Sequence, residues 1–128
     1  MSRKNREIEV MARGVFVCRG HLLVCRTGKA DMTYLPGGHV EFGESVPVAL
    51  AREVREELGC RARVTRFLGV VEHPYVQKGE THCEVNLVFE MRVNGLDPRR
   101  PVRSVEGHLS FSWIPLSGHR RSDRKSVV

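Results

Sequence analysis

No stretch of eighteen apolar residues occurs in the chain, so no membrane-spanning helix and no membrane partner are expected. The opening run Met1-Ser2-Arg3-Lys4-Asn5-Arg6 is followed by no uncharged apolar segment, and a secretory signal peptide is not expected either. Cys18, Cys25, Cys60 and Cys83 form no C-x-x-C pair. This spacing argues against a zinc ribbon, a thioredoxin-like site and a disulfide framework. Free thiols in a reducing cytoplasm are the expectation. Internal repeats and inter-domain linkers are also missing from the sequence.

What is present suits one folded domain spanning residues 1–128, with 41% hydrophobic and 28% charged residues. The formal charge of +6 is concentrated at the ends. Arg3, Lys4 and Arg6 face only Glu7 there, and Arg120, Arg121, Arg124 and Lys125 face only Asp123. Such basic ends can touch nucleic acid or an anionic surface. Solvated, flexible ends at 1–6 and 118–128 are the simpler reading, and nucleic acid is not an expected partner.

The pattern predicts a strand over Glu7–Val17, turning at Arg19-Gly20 into a second over His21–Arg26. A loop then leads to a short strand at Tyr34-Leu35, stopped by a turn at Pro36-Gly37-Gly38. The clearest helix runs over Ser45–Leu58, with Ser45 as N-cap, Pro47 in the first turn and Gly59 as a left-handed C-cap. Leu50, Val54 and Leu58 form its buried stripe. Two strands follow, Ala62–Glu72 and Thr81–Val93, joined by a loop over His73–Glu80. A loop at Asn94–Val105 precedes a last strand, Ser110–Ile114. Ser117–Val128 shows little helical periodicity.

The helix carries an unfavourable set of charges. At 100° per residue, Glu53, Glu56 and Glu57 fall within an arc of about 100°, beside the apolar stripe. They repel one another by a few tenths of a kcal/mol per pair. They also sit in the C-terminal half, where the helix dipole disfavours anions. A bound divalent cation offsets this, and hard oxygen ligands suit magnesium or manganese rather than zinc. The glycine turn before the helix allows backbone groups to approach a ligand closely. Three glutamates alone are also compatible with a solvated helix face.

The complete spacing carries more weight. From Gly38 the chain reads five residues, Glu44, seven residues, then Arg52-Glu53-Val54-Arg55-Glu56-Glu57-Leu58-Gly59-Cys60. This resembles the Nudix hydrolase signature G-x5-E-x7-R-E-U-x-E-E-x-G-U, where U is a bulky aliphatic. Only Cys60 departs, as a small hydrophobe. The preceding hairpin, Leu35-Pro36-Gly37-Gly38 and the later Trp113-Ile114-Pro115-Leu116 extend the likeness over roughly residues 8–116.

The resemblance implies an α/β/α sandwich around a mixed sheet. It implies hydrolysis of a diphosphate linkage in a nucleoside diphosphate joined to another group, with Mg2+ or Mn2+ as cofactor. Glu53, Glu56 and Glu57 are the implied metal ligands, with Glu53 or Glu56 as general base and a carbonyl of Gly37 or Gly38 completing the set. Arg52 is implied to brace the glutamates, and Glu44 to support the loop. Some family members recruit a further carboxylate from outside the helix. Glu106 is the first candidate, with Glu84 and Glu90 as rivals. Arg26 is a candidate for pairing with phosphate, Tyr34 for stacking on a base, and Gly38 for close approach to substrate. His73, Pro74 and Tyr75 lie where substrate preference is often read. Family members commonly add a C-terminal helix over one face of the sheet. Here the basic tail forms a short helix or a second subunit covers that face, and a homodimer is the preferred expectation.

Other motifs fail. Gly28-Lys29 lacks the flanking residues of a P-loop. His39-Val40-Glu41 and His82-Cys83-Glu84 lack the P-C-x-x-C that completes a zinc deaminase site. The alternative of a different class is a non-catalytic nucleotide-binding regulatory module, though such modules usually lose the glutamates kept here.

Overall fold

The computed structural model describes residues 7–28 and 32–117. Two sheets and one helix make up these residues. The first sheet has the order β4-β1-β6-β5, built from β1 (Ile8–Val15), β4 (Gly37–His39), β5 (Ala62–Gln77) and β6 (Glu80–Val93). β1 runs parallel to β6 and the other pairs are antiparallel, so the sheet is mixed, as expected. The second sheet, β2-β3-β7, joins Val17–Cys18, His21–Thr27 and Leu109–Pro115. The expected single strand over Glu7–Val17 divides at Phe16, where the chain passes from one sheet to the other. Phe16 is buried and its ring packs 5.7 Å from that of Trp113.

Helix α1 (Val46–Leu58) follows the sequence expectation closely. Ser45 accepts a hydrogen bond from the Val48 N–H, and Gly59 takes φ 67° while its N–H donates to the Arg55 carbonyl. Ala49, Leu50, Val54 and Leu58 are buried against Ala12, Leu23, Met91 and Val93. Among the described residues α1 is the only helix, so the second helical layer of a sandwich has no member here. Residues 118–128, where the tail expectation fell, lie outside the described residues.

Three local readings are corrected. Tyr34 makes only an isolated bridge to Cys25 and is not part of a strand. Gly37–His39 is not a turn but strand β4, paired with Met11–Arg13. Gly37, at φ 144°, permits this because a Cβ there would sit 1.9 Å from the Ala12 carbonyl oxygen. The loop expected over His73–Glu80 is instead the end of a long hairpin. Lys78 and Gly79, both with positive φ, make the two-residue turn that matches strand twist.

The face of the first sheet that packs on α1 continues past the helix. There Val10, Val70 and Phe67 are 41%, 53% and 52% exposed. β5 is an edge strand of this sheet. Gly37→Ala should cost about 3 kcal/mol or more, from the strained φ and the clash with β1. Urea denaturation measures this, and a change under about 1 kcal/mol would contradict the tight β1–β4 seam.

Candidate active site

A cavity of about 640 Å3 lies between the two sheets, with α1 closing one end. Its floor is the face of the first sheet opposite the α1 core. Glu9, Met11 and Arg13 on β1 share that face with Glu84 and Asn86 on β6 and His73 and Tyr75 on β5, as the register requires. Cys25 and Thr27 on β3, with Tyr34, form the opposite wall.

Helical spacing brings Glu53 and Glu57 into this cavity one turn apart. Glu57 is buried and hydrogen-bonds to Glu53, while its Oε1 has no partner. Burial, then the charge of Glu53, pushes the Glu57 carboxyl from its ordinary 4.5 up to about 9. Burial also raises Glu53, against the pull of Arg52. A Cβ on Gly38 would stand 2.4 Å from the Glu53 carboxyl carbon, so the glycine lets β4 press against this pair. These features fit a hard divalent cation, which would hold both carboxylates ionised and engage the orphaned oxygen.

Arg52 ties the approach to the pair together. Its Nε and Nη2 donate to the two Glu44 oxygens at 2.7 and 3.0 Å, and Nη2 also donates to the His39 carbonyl at 3.0 Å. Nη1 reaches Glu53 at 3.4 Å and Glu56 at 3.2 Å. This bidentate contact holds Glu44 below the usual carboxylate range. Glu56 is the outlier of the predicted ligands. It is exposed, pairs with Arg52, and is not among the residues lining the cavity. Among the described residues no three His, Cys, Asp or Glu side chains already converge into a finished cation cage.

Glu106 reaches the cavity from the loop before β7. The Val105 N–H donates to the Glu57 carbonyl at 2.7 Å, anchoring that loop to the end of α1. The Glu106 charge contributes to the raised Glu57 carboxyl. Glu84 lies buried in the cavity floor, whereas Glu90 stands outside the cavity beside Thr65 and Arg66. Gly37, Gly38 and Tyr34 line the cavity. Arg26 does not line it. Cys25 and Thr27 on either side point inward, so the alternation of β3 turns Arg26 to the other face.

Sequence reasoning missed Arg13, a buried arginine in the cavity wall. The signal was a lone basic residue in Met11-Ala12-Arg13-Gly14, where strand alternation reads as an outward-facing position. His73 and Tyr75 belong to the same floor, on a strand rather than a loop; their rings stack at 5.3 Å, and Tyr75 stacks on His82 at 4.9 Å.

The NUDIX domain family matches residues 9–126. The chain is 27% identical to a nucleoside triphosphatase NudI of Klebsiella pneumoniae, covering 86% of this chain and 84% of that protein. It is 50% identical over 61 residues to an ADP-ribose pyrophosphatase of Methanocaldococcus jannaschii, spanning 48% of this chain and 35% of that relative's length. A MutT NUDIX hydrolase structure from Burkholderia pseudomallei superposes with a TM-score of 0.70 at 28% identity, over 90% of this chain and 88% of that one.

A carboxyl whose pKa is higher in the folded state than in the unfolded state releases its proton on unfolding. Its stabilising contribution is full below about 4.5 and is lost as pH rises through about 9. Glu57→Gln should therefore raise Tm at pH 8 in the presence of a chelator, and the gain should vanish near pH 4.5. Saturating Mg2+ should raise the Tm of the native chain more than that of the variant. Thermal unfolding across pH with and without the cation checks both, and identical curves would exclude a buried, metal-responsive Glu57.

Proposed function

The chain belongs to the NUDIX domain family, and on that premise we propose that it is a metal-dependent pyrophosphohydrolase. Its substrate is a nucleoside diphosphate linked to another moiety, such as a nucleoside triphosphate, ADP-ribose or a nucleotide sugar. The supporting observation is the Glu53–Glu57 pair at the end of a nucleotide-sized cavity, with Glu53 against Gly38 and a buried oxygen of Glu57 left without a partner.

Glu53, Glu56 and Glu57, with a carbonyl of Gly37 or Gly38, are the residues to hold Mg2+ or Mn2+. When bound, the cation neutralises the diphosphate, polarises phosphorus and lowers the pKa of water. The chain's own residues supply the rest. Arg52 keeps Glu44, Glu53 and Glu56 in register across the loop and helix. A carboxylate among Glu53, Glu56 and Glu106 accepts the proton of the attacking water. Glu106 suits this role because it faces the glutamate pair from a different element, on a loop anchored by Val105. Attack in line on one phosphorus then expels the other phosphate.

A hydrolysis panel of nucleoside triphosphates, ADP-ribose, nucleotide sugars and dinucleoside polyphosphates with Mg2+ or Mn2+ tests the reading. Turnover of one compound should disappear with chelator and fall about a hundredfold in Glu56→Gln. Glu106→Gln should lower kcat at least about tenfold without lowering Tm, as expected of a lost general base. Turnover indifferent to chelator and to Glu56→Gln would overturn the assignment. Ligand-induced stabilisation without turnover would favour a binding module instead.

A further inference from the structure

Arg13 is a buried cation in no ion pair among the described residues, though its charge is felt by the Glu57 carboxyl. Its side chain is 7% exposed and lines the cavity, where it is the only Lys or Arg among the described lining residues. Its hydrogen bonds go to neutral oxygens: Nε donates to Asn86 Oδ1 at 3.1 Å and Nη1 to the Leu35 carbonyl at 3.1 Å. None of the ion pairs among the described residues includes it.

The surroundings keep this charge in place and outside any direct ion pair. Asn86 is fully buried, and its amide donates to the Val71 carbonyl at 3.1 Å and toward Glu84 at 3.5 Å. A neutral amide is thus interposed between the guanidinium and Glu84. The Tyr34 ring lies 5.8 Å from the guanidinium carbon. A buried charge is costly unless paired, and a guanidinium offers five N–H donors, of which the two named contacts use two. The remaining donors suit a tetrahedral anion held through more than one oxygen.

We propose that Arg13 binds a phosphate group of the nucleotide substrate, and that Asn86 fixes the guanidinium for that contact. The inference rests on the hydrolase reading and deepens it. The diphosphate is held from two sides, by Arg13 on the sheet floor and by the cation bound to the α1 glutamates. The contact is to phosphate rather than to base or sugar, so it adds affinity for any nucleoside diphosphate derivative and does not choose among bases.

Calorimetric binding of ADP, inorganic pyrophosphate and adenosine to the native chain, Arg13→Lys and Arg13→Met tests this, in chelator and in Mg2+. Affinity for ADP and pyrophosphate should fall at least about tenfold in Arg13→Met and recover in part in Arg13→Lys, while adenosine binding stays unchanged. Equal affinity of the native chain and Arg13→Met for both phosphates would overturn the proposal, as would equal losses for ADP and adenosine. Should Arg13→Met fail to fold, the Arg13 Nε–H resonance of the native protein decides. It must shift with ADP and not with adenosine, and an unmoved resonance overturns the assignment. Native hydrolysis with Arg13-independent binding would remove this inference and leave the hydrolase reading intact. A native chain that neither binds nor hydrolyses any nucleotide would remove both.

Discussion

The burial of the Glu57 carboxyl beside Glu53 is the constraint on which the rest of the site depends. Two carboxylates one helical turn apart, shielded from water, cannot both ionise cheaply. The chain tolerates this at the junction of α1, β4 and the loop before β7. Gly38 brings β4 close without a side chain, and Val105 pins the loop to the Glu57 carbonyl. Removing either contact would open the pair to water and relax the electrostatic tension that favours a cation there.

Around that pair the charges are arranged in opposing roles. Arg52 is surrounded by carboxylates and committed to them: it clamps Glu44 through both oxygens and reaches Glu53 and Glu56. Its work is to hold the loop against the helix. Arg13 is held by an amide and a carbonyl and enters no ion pair among the described residues. One arginine is spent on the architecture, and the other faces the cavity. The carboxylates of Glu53, Glu57, Glu84 and Glu106 would repel a diphosphate from the same cavity. Arg13 is the one Lys or Arg among the described lining residues to set against them.

Much of the helix and its chemistry was legible in the residue order. Ser45, Pro47 and Gly59 act locally, and the 3.6-residue period places Glu53 and Glu57 on one side without reference to the rest of the chain. The strands read less well. Pro36-Gly37-Gly38 looked like a turn because glycine and proline usually break strands. In the fold Gly37 is a strand residue, needed because β1 passes too close for a Cβ. The His73–Glu80 segment is polar enough to pass for a loop. The Lys78-Gly79 turn instead lets the hairpin continue and carries His73 and Tyr75 into the cavity floor.

The sequence by itself determined helix α1, its caps and its carboxylate spacing, because each depends on neighbours within about two turns. Tertiary structure alone decided that Arg26 faces away while Arg13 faces in, that Glu106 meets Glu57, and that Asn86 keeps Arg13 clear of Glu84. Those outcomes follow from the parallel pairing of β1 with β6 and from the passage of the chain between sheets at Phe16. Side chains as far apart as Arg13 and Asn86 meet only once that pairing sets the register, and a strand's own alternation cannot say which of its two faces will close over a cavity.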